Sequence, residues 1–195
     1  MLEDIEAKLR YPLFVKPVNL GSSIGISKVH DSQSLDRAID LAAGYDVKIM
    51  VEASVENARE LECAVLGNDD PKASVIGEII PGAEFYDYTT KYIDDRSQLI
   101  VPAELPESIS AEIQRMSVDA FRSIDCAGLG RVDFLLTASG DIFLNEINTM
   151  PGFTPISMYP RLWQASGISY PALIDELIQL ALARHRETQQ IGVNR

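Results

Sequence analysis

Apolar positions recur along the chain with two different periods. In PLFVK (Pro12–Lys16), VKIMVEA, ELECAVLG and ASVIGEII they form short, largely β-branched runs, which predicts strands. Leu35, Ala38, Ile39 and Ala42 recur at helical spacing after Asp31, a residue suited to an N-cap, and Gly44 marks the stop near Ala43. Ile109, Ile113, Met116 and Ala120 repeat that spacing between Pro106 and Asp125. Leu173, Leu177, Leu180 and Ala181 predict a last helix from Tyr170 to His185 with these four residues facing a core. NLGSSIG reads as a turn between the first strand and a returning strand in IGISKV, and NDDP as the turn between ELECAVLG and ASVIGEII. GRVDFLLTASGDIFLNEIN reads as a hairpin about the turn Ala138–Asp141. Phe134, Leu135, Phe143, Leu144 and Ile147 make both of its strands look buried on both faces. Two stretches carry no period: Pro81 to about Pro102, and MPGFTPISMYP. Strands joined by hairpins and flanked by helices give an α+β class with antiparallel sheets, not a doubly wound parallel fold.

Composition changes this picture little. The chain has 195 residues, 46% hydrophobic and 24% charged, enough for one sizeable domain or two small lobes. No apolar run is long enough to span a membrane, and the polar start MLEDIEAKLR is not a secretory signal, so the expected location is the cytoplasm. The net charge of −12 argues against nucleic acid or an anionic membrane as partner, but leaves room for a small anion held by local cations and a metal. Cys63 and Cys126 sit in apolar stretches and read as buried thiols; neither they nor His30 and His185 show metal or redox spacing.

The chemistry concentrates in the hairpin. Arg131 and Asp133 are two residues apart on one strand, Glu146 and Asn148 two apart on the next, so each pair shares a face. Paired across the turn, all four can converge. Two carboxylates and an amide oxygen suit magnesium carried with phosphate, and Arg131 can stabilise developing negative charge. The alternative is a hairpin whose solvent face happens to be charged. FVKPVNLGSSIG places Lys16 in an apolar strand ahead of a Gly-Ser loop that offers N–H groups to phosphate; it lacks the Walker pattern, and a plain hairpin explains it as well. Glu52 and Glu60, at strand ends, could hold a ribose or an adenine amine, or be surface charge. YDYTTKYIDD, with Lys91 and Tyr92, could be a closing lid or a loop with packing anchors.

VKPVNLGSSIGISKV, VEASVENARELECAVLGN, FYDYTTKY, GRVDF and NEINTMPGFTPISMYP stand in the order and spacing of the D-alanine–D-alanine ligases, and the likeness runs from about Tyr11 to about Arg186. GRVDF with NEIN is common to ATP-grasp enzymes; GSSIG, FYDYTTKY and NTMPGFT-x-x-SMYP resemble the D-alanine ligase branch in particular. The resemblance implies an ATP-grasp fold of two lobes with largely antiparallel sheets flanked by helices. Residues 1–52 would form part of the smaller central lobe, left incomplete here, and residues 53–195 the catalytic C-terminal lobe.

It also implies roles. ATP and magnesium (two ions, with manganese as a substitute) would be the cofactors, and D-alanine the substrate. Lys16, Lys91 and the Ser23 backbone would touch phosphate. Ser22 would help hold the first D-alanine, and Tyr92 would lock a lid spanning about Ala83 to Gln98, poorly ordered without nucleotide. Glu52, Ala53 and Val55 lie where the adenine-binding link falls, with Ala53–Ser54 smaller than the Lys-Trp of some relatives, and Glu60 would bind ribose. Asp133, Glu146 and Asn148 would hold the metal ions, with Glu146 bridging. Arg131 and the Gly152 backbone would form the oxyanion site, and Ser157 and Met158 would bind the second D-alanine carboxylate. The implied reaction is phosphoryl transfer to a carboxylate, then amide formation. Family members carry an upstream region with a substrate-binding Glu and His and a further ATP-contacting Lys. The expectation is therefore a C-terminal portion inactive alone, forming a homo-oligomer or pairing with an N-terminal fragment. A D-alanine–D-lactate ligase and a non-catalytic nucleotide-binding module are the competing readings; the intact FYDYTTKY favours an amine acceptor.

Overall fold

The computed structural model describes residues 2–21, 23–80 and 98–190. The chain folds into two compact units, one running to Glu56 and one beginning at Asn57.

The first unit contains α1 (Leu2–Glu6), β1 (Leu13–Pro17), β2 (Ser27–Val29), α2 (Ser32–Ala43) and β3 (Ile49–Ala53). Its sheet has the order β2-β1-β3, with both pairings antiparallel. Alternation along β1 sends Leu13 and Val15 into a core with Val29, Leu35, Ala38 and Ala42, while Phe14 and Lys16 lie on the other face. Asp31 caps α2 as the sequence predicts: its carboxylate accepts from the Ser34 backbone N–H at 2.7 Å, and the Ser34 hydroxyl completes a capping box. Gly44 ends the helix with φ −70°, an ordinary helical value, so no left-handed turn is used there. Gly25 does need its glycine: φ is +72°, and a Cβ would lie 2.8 Å from the Tyr45 ring and 2.9 Å from the Pro17 ring.

The second unit holds a five-stranded sheet of order β6-β5-β4-β7-β8. Its strands are β4 (Arg59–Gly67), β5 (Lys72–Ile80), β6 (Gln98–Ile100), β7 (Gly128–Leu136) and β8 (Ile142–Asn148), and its helices α3 (Glu107–Ser123), α4 (Met158–Ala165) and α5 (Tyr170–Gln190). One face packs Leu61, Cys63, Val65, Ile76, Val132, Phe134 and Leu136 against Ile113 and Phe121 of α3. On the other, Met158 and Leu162 of α4 close on Gly77, where an added Cβ would meet them at 2.8 and 2.9 Å, and the buried Tyr159 hydroxyl donates to the Val65 carbonyl at 3.0 Å. Between these layers β4 is buried on both faces from Leu61 to Gly67. Burial pushes the Cys63 thiol up to about 11, which leaves it a small hydrophobe, as read from its neighbours.

Four expectations need correction. The segment from Pro81 to Pro102 is not pattern-free throughout, because Gln98–Ile100 forms the edge strand β6, too short to show a period. MPGFTPISMYP is not wholly irregular, because α4 starts at Met158; Pro160 sits in its first turn, where a proline costs no hydrogen bond. β8 is not buried on both faces: it is the other edge of the sheet, and Phe143 and Leu144 are 48% and 43% exposed. On α5 only Leu173 is fully buried, Leu177 and Leu180 are half-buried, and Ala181 is exposed. The proposed lid falls on residues outside those described, apart from Gln98 in β6.

Two outcomes follow from this packing. An added Cβ at Gly130 would lie 2.9 and 3.0 Å from the Phe121 ring, which is fully buried and cannot swing away. Gly130→Ala should lower the stability of the second unit by about 1–3 kcal/mol in urea unfolding, and adding Phe121→Leu should restore part of the loss. The second outcome concerns acid. The Asp31 carboxyl is held below its usual range, chiefly by the Ser34 backbone hydrogen bond. A depressed carboxyl contributes stability above its unfolded value, about 4, and loses it as the pH falls through the lower native value. Asp31→Asn keeps a capping oxygen but not that charge. Melting temperatures followed down through pH 4 should therefore fall less steeply for the variant than for the parent chain.

Candidate active site

The hairpin of β7 and β8 builds the centre of the site. Its register pairs Arg131 with Asn148 and Asp133 with Glu146, directly opposite one another, before a bulge at Asn145 shifts the pairing to Phe134–Leu144. Without that bulge the alternation of β8 would not carry both its polar pair and its half-buried Ile142 in their observed places. On the other side β4 pairs with β7 so that Glu62 faces Asp133 and Ala64 faces Arg131. A row of three carboxylates, Glu62, Asp133 and Glu146, therefore crosses three adjacent strands.

Arg131 compensates this row. Its Nε and terminal nitrogen donate to the two oxygens of Asp133, each at 2.7 Å, and Nε lies 3.0 Å from Glu62 Oε2. The Arg131 and Asp133 side chains are 14% exposed and that of Glu62 is 6% exposed, so these charges interact with little screening. Burial alone would lower the Arg131 pKa; the hydrogen bonds to Asp133, with the charges of Asp133, Glu62 and Glu146, outweigh it and raise the value. Asn148 donates through Nδ2 to Asp133 at 3.0 Å and to Glu146 at 3.1 Å. Beside two carboxylates the amide turns its donor inward; a half-turn about its last torsion presents its oxygen instead.

The donor set fits magnesium. Two carboxylates and an amide oxygen are hard ligands, Glu146 is exposed at the sheet edge, and among the described residues no group of three His, Cys, Asp or Glu is placed to hold a cation alone. Such a site suits a cation that brings phosphate oxygens with it.

Other selected residues lie in separate groups. In the first unit Lys16 extends from the face of β1 away from the core and pairs with Glu52 of β3. Ala53 ends β3, and Val55 follows it half-buried. Ser23 has φ +59°, a left-handed value inside the Gly-Ser turn, and that loop is tied down where Asp46 accepts from the Asn19 backbone at 2.7 Å and side chain at 3.2 Å. In the second unit Glu60 is half-buried on β4, opposite Leu135. Gly152 and Ser157 are neighbours, since a Cβ at Gly152 would stand 3.1 Å from Ser157 Oγ. Ser157 occupies the N-cap position of α4 without capping it; its hydroxyl instead accepts from the Thr154 backbone N–H at 3.1 Å and shares a 2.8 Å hydrogen bond with the Thr154 hydroxyl. Met158 is buried in the α4 packing. Ser22, Lys91 and Tyr92 lie outside the described residues.

Two charged groups escaped the sequence reading. Glu62 could have been found from the ELE spacing, which puts it on the face of Glu60 within an apolar strand. Arg59 makes a two-pronged ion pair with the buried Glu78, both contacts at 2.7 Å, and no sequence signal joins residues so far apart.

Comparison with known proteins gives these residues a context. Residues 1–179 match the family model described as D-ala D-ala ligase C-terminus. A D-alanine–D-alanine ligase of Bacillus cytotoxicus is 56% identical over 97% of this chain and 52% of its own length. The solved D-alanine–D-alanine ligase from Coxiella burnetii superposes with a TM-score of 0.85 at 42% identity, covering 97% of this chain and 49% of that one. The VanG D-Ala:D-Ser ligase from Enterococcus faecalis gives 0.83 at 42% identity, over 92% and 52%. The chain thus spans about half the length of the curated relatives it matches. With a fold of antiparallel sheets and flanking helices that superposes on these ATP-grasp enzymes, it belongs to the D-alanine–D-alanine ligase family and corresponds to that family's C-terminal portion.

Proposed function

We propose that this chain supplies the ATP- and acceptor-binding part of a ligase that joins two D-alanine molecules for peptidoglycan precursor synthesis in the cytoplasm. The observation that carries the reading is the strand register that brings Arg131, Asp133, Glu146 and Asn148 onto one patch. Asp133, Glu146 and Asn148 would hold magnesium, as two ions, or manganese in its place. When bound, the metal would neutralise phosphate charge and polarise the γ-phosphoryl group. Lys16, Lys91 and the Ser23 N–H would orient the phosphates, Glu60 the ribose, and Glu52, Ala53 and Val55 the adenine. Ser22 would hold the first D-alanine, whose carboxylate attacks the γ-phosphoryl group to give an acyl phosphate. Ser157 and Met158 would seat the carboxylate of the second D-alanine, whose amine attacks that acyl phosphate. Arg131 and the Gly152 N–H would stabilise the oxyanion as phosphate leaves, and Tyr92 would keep water away.

The amine acceptor, as against the hydroxyl of D-lactate, is supported by the FYDYTTKY segment. Among the described residues the three-stranded sheet of the first unit ends in two edges, β2 and β3, and an open edge favours pairing with further chain, either an upstream segment or a second copy.

Two experiments test the reading. Glu146→Gln removes one of the two carboxylates offered to the cation. It should weaken Mn2+–ATP binding, read by electron paramagnetic resonance, about tenfold or more. The exposed side chain at a sheet edge should leave the melting temperature nearly unchanged. Equal affinity in both proteins would remove the metal assignment. In a coupled ADP-release assay the chain alone should release no measurable ADP, because phosphoryl transfer depends on positioning and the chain spans about half the length of its curated relatives. Supplying the upstream half of a close relative should restore turnover, and sedimentation should show the two associating. Turnover by a monomer of this chain alone would overturn that division of labour.

A further inference from the structure

We propose that Glu62 is a positioning residue for Arg131, keeping its guanidinium in the site when Asp133 gives its oxygens to the metal–phosphate. The inference rests on the ligase reading and adds a residue to it. Both Asp133 oxygens accept from Arg131, and one of them also accepts from Asn148. A carboxylate has about four acceptor positions, and two of those of Asp133 are taken by the guanidinium; a cation that joins Asp133 repels the guanidinium, itself a cation, and competes with it for those oxygens. Arg131 would then be a buried charge stripped of its hydrogen-bonded partner, a costly state.

Glu62 prevents that. It is already 3.0 Å from Arg131 Nε, its side chain is 6% exposed, and it stands on β4, away from the β7–β8 edge where Asn148 and Glu146 meet. The register makes room for the contact: the residue opposite Arg131 on β4 is Ala64, fully buried, whose methyl lets the guanidinium reach across to the next same-face position, Glu62. Arg131 therefore hydrogen-bonds to Asp133 on one side and forms an ion pair with Glu62 on the other. Asp133 is the partner it can release, and Glu62 the one it keeps.

A double-mutant cycle on Mn2+ affinity in the presence of ATP tests this. Glu62→Gln leaves Arg131 with Asp133 alone, tightens that pair, and should weaken Mn2+ binding about tenfold. In an Arg131→Met background the same change should cost less than about twofold, because the competition is gone. Glu62→Asp, which keeps the charge on a shorter arm, should recover part of the affinity. Equal weakening in both backgrounds would mean that Glu62 acts on the cation by its own charge, and no weakening would mean that it does nothing; either overturns the proposal. Should Glu62→Gln fail to fold, the Arg131 Nε–H signal in 15N NMR of the unaltered chain decides. On adding Mg2+ and ATP it should stay protected from solvent exchange, and exchange as fast as an exposed arginine would overturn the proposal. An unaltered chain that binds no Mn2+–ATP at all would bring down the ligase reading first, and this inference with it.

Discussion

One guanidinium faces three carboxylates across the second sheet, and the arrangement of the site depends on that imbalance. Glu62, Asp133 and Glu146 lie in one row on β4, β7 and β8, with Arg131 the partner that the structure places beside them. The surplus negative charge makes the patch a place for a cation. The burial of Arg131 makes its orientation a matter of which carboxylate holds it. Neither property belongs to a single residue. Both follow from the antiparallel register, since a slip of one residue in β7 would turn Arg131 and Asp133 into the apolar core and bring Val132 and Phe134 out.

That register is defended by packing on the other face. Val132, Phe134 and Leu136 alternate with the charged residues of β7 and are locked against Phe121 and Ile113 of α3. Gly130 lets the Phe121 ring approach to a distance no side chain would permit. Full burial of such side chains is worth about 1.5–3 kcal/mol each, enough to outweigh the cost of gathering like charges at the opposite face.

Much of this was legible in the sequence, and the part that was not has a consistent physical origin. Period-2 alternation and the two-residue spacings RVD and NEIN were enough to place four polar residues on one patch, because a hairpin is a local structure and its turn lies within the segment. Asp31 could be read as a cap for the same reason. The misreadings concern relations that distant parts of the chain determine. Phe143 and Leu144 looked like core because β8 is apolar, yet whether a strand is an edge depends on what lies beside it. The last helix carries Ile174, Ile178 and Leu182 outward, so its apolar content overstated its burial. Glu62 was passed over because its partner is 69 residues away, and the Arg59–Glu78 pair because neither residue signals the other.

The same distinction explains how the second unit can carry two different surfaces on one sheet. The face under α3 is apolar along β4, β7 and β5. The opposite face is divided. Over β5 the small Gly77 admits Met158 and Leu162, and α4 comes down onto the sheet. Toward β7 and β8 the side chains become charged. The segment linking β8 to α4 carries Gly152 and Ser157, so the residues assigned to the oxyanion and to the acceptor carboxylate begin four positions after Asn148, the last residue of the charged hairpin. A sheet covered by helices on both faces would bury such a patch, and one covered on a single face would not fix the loop that follows it. Covering half of the second face does both: it anchors the loop through α4 and leaves Glu146 open at the edge, where a phosphate-bound cation can reach it.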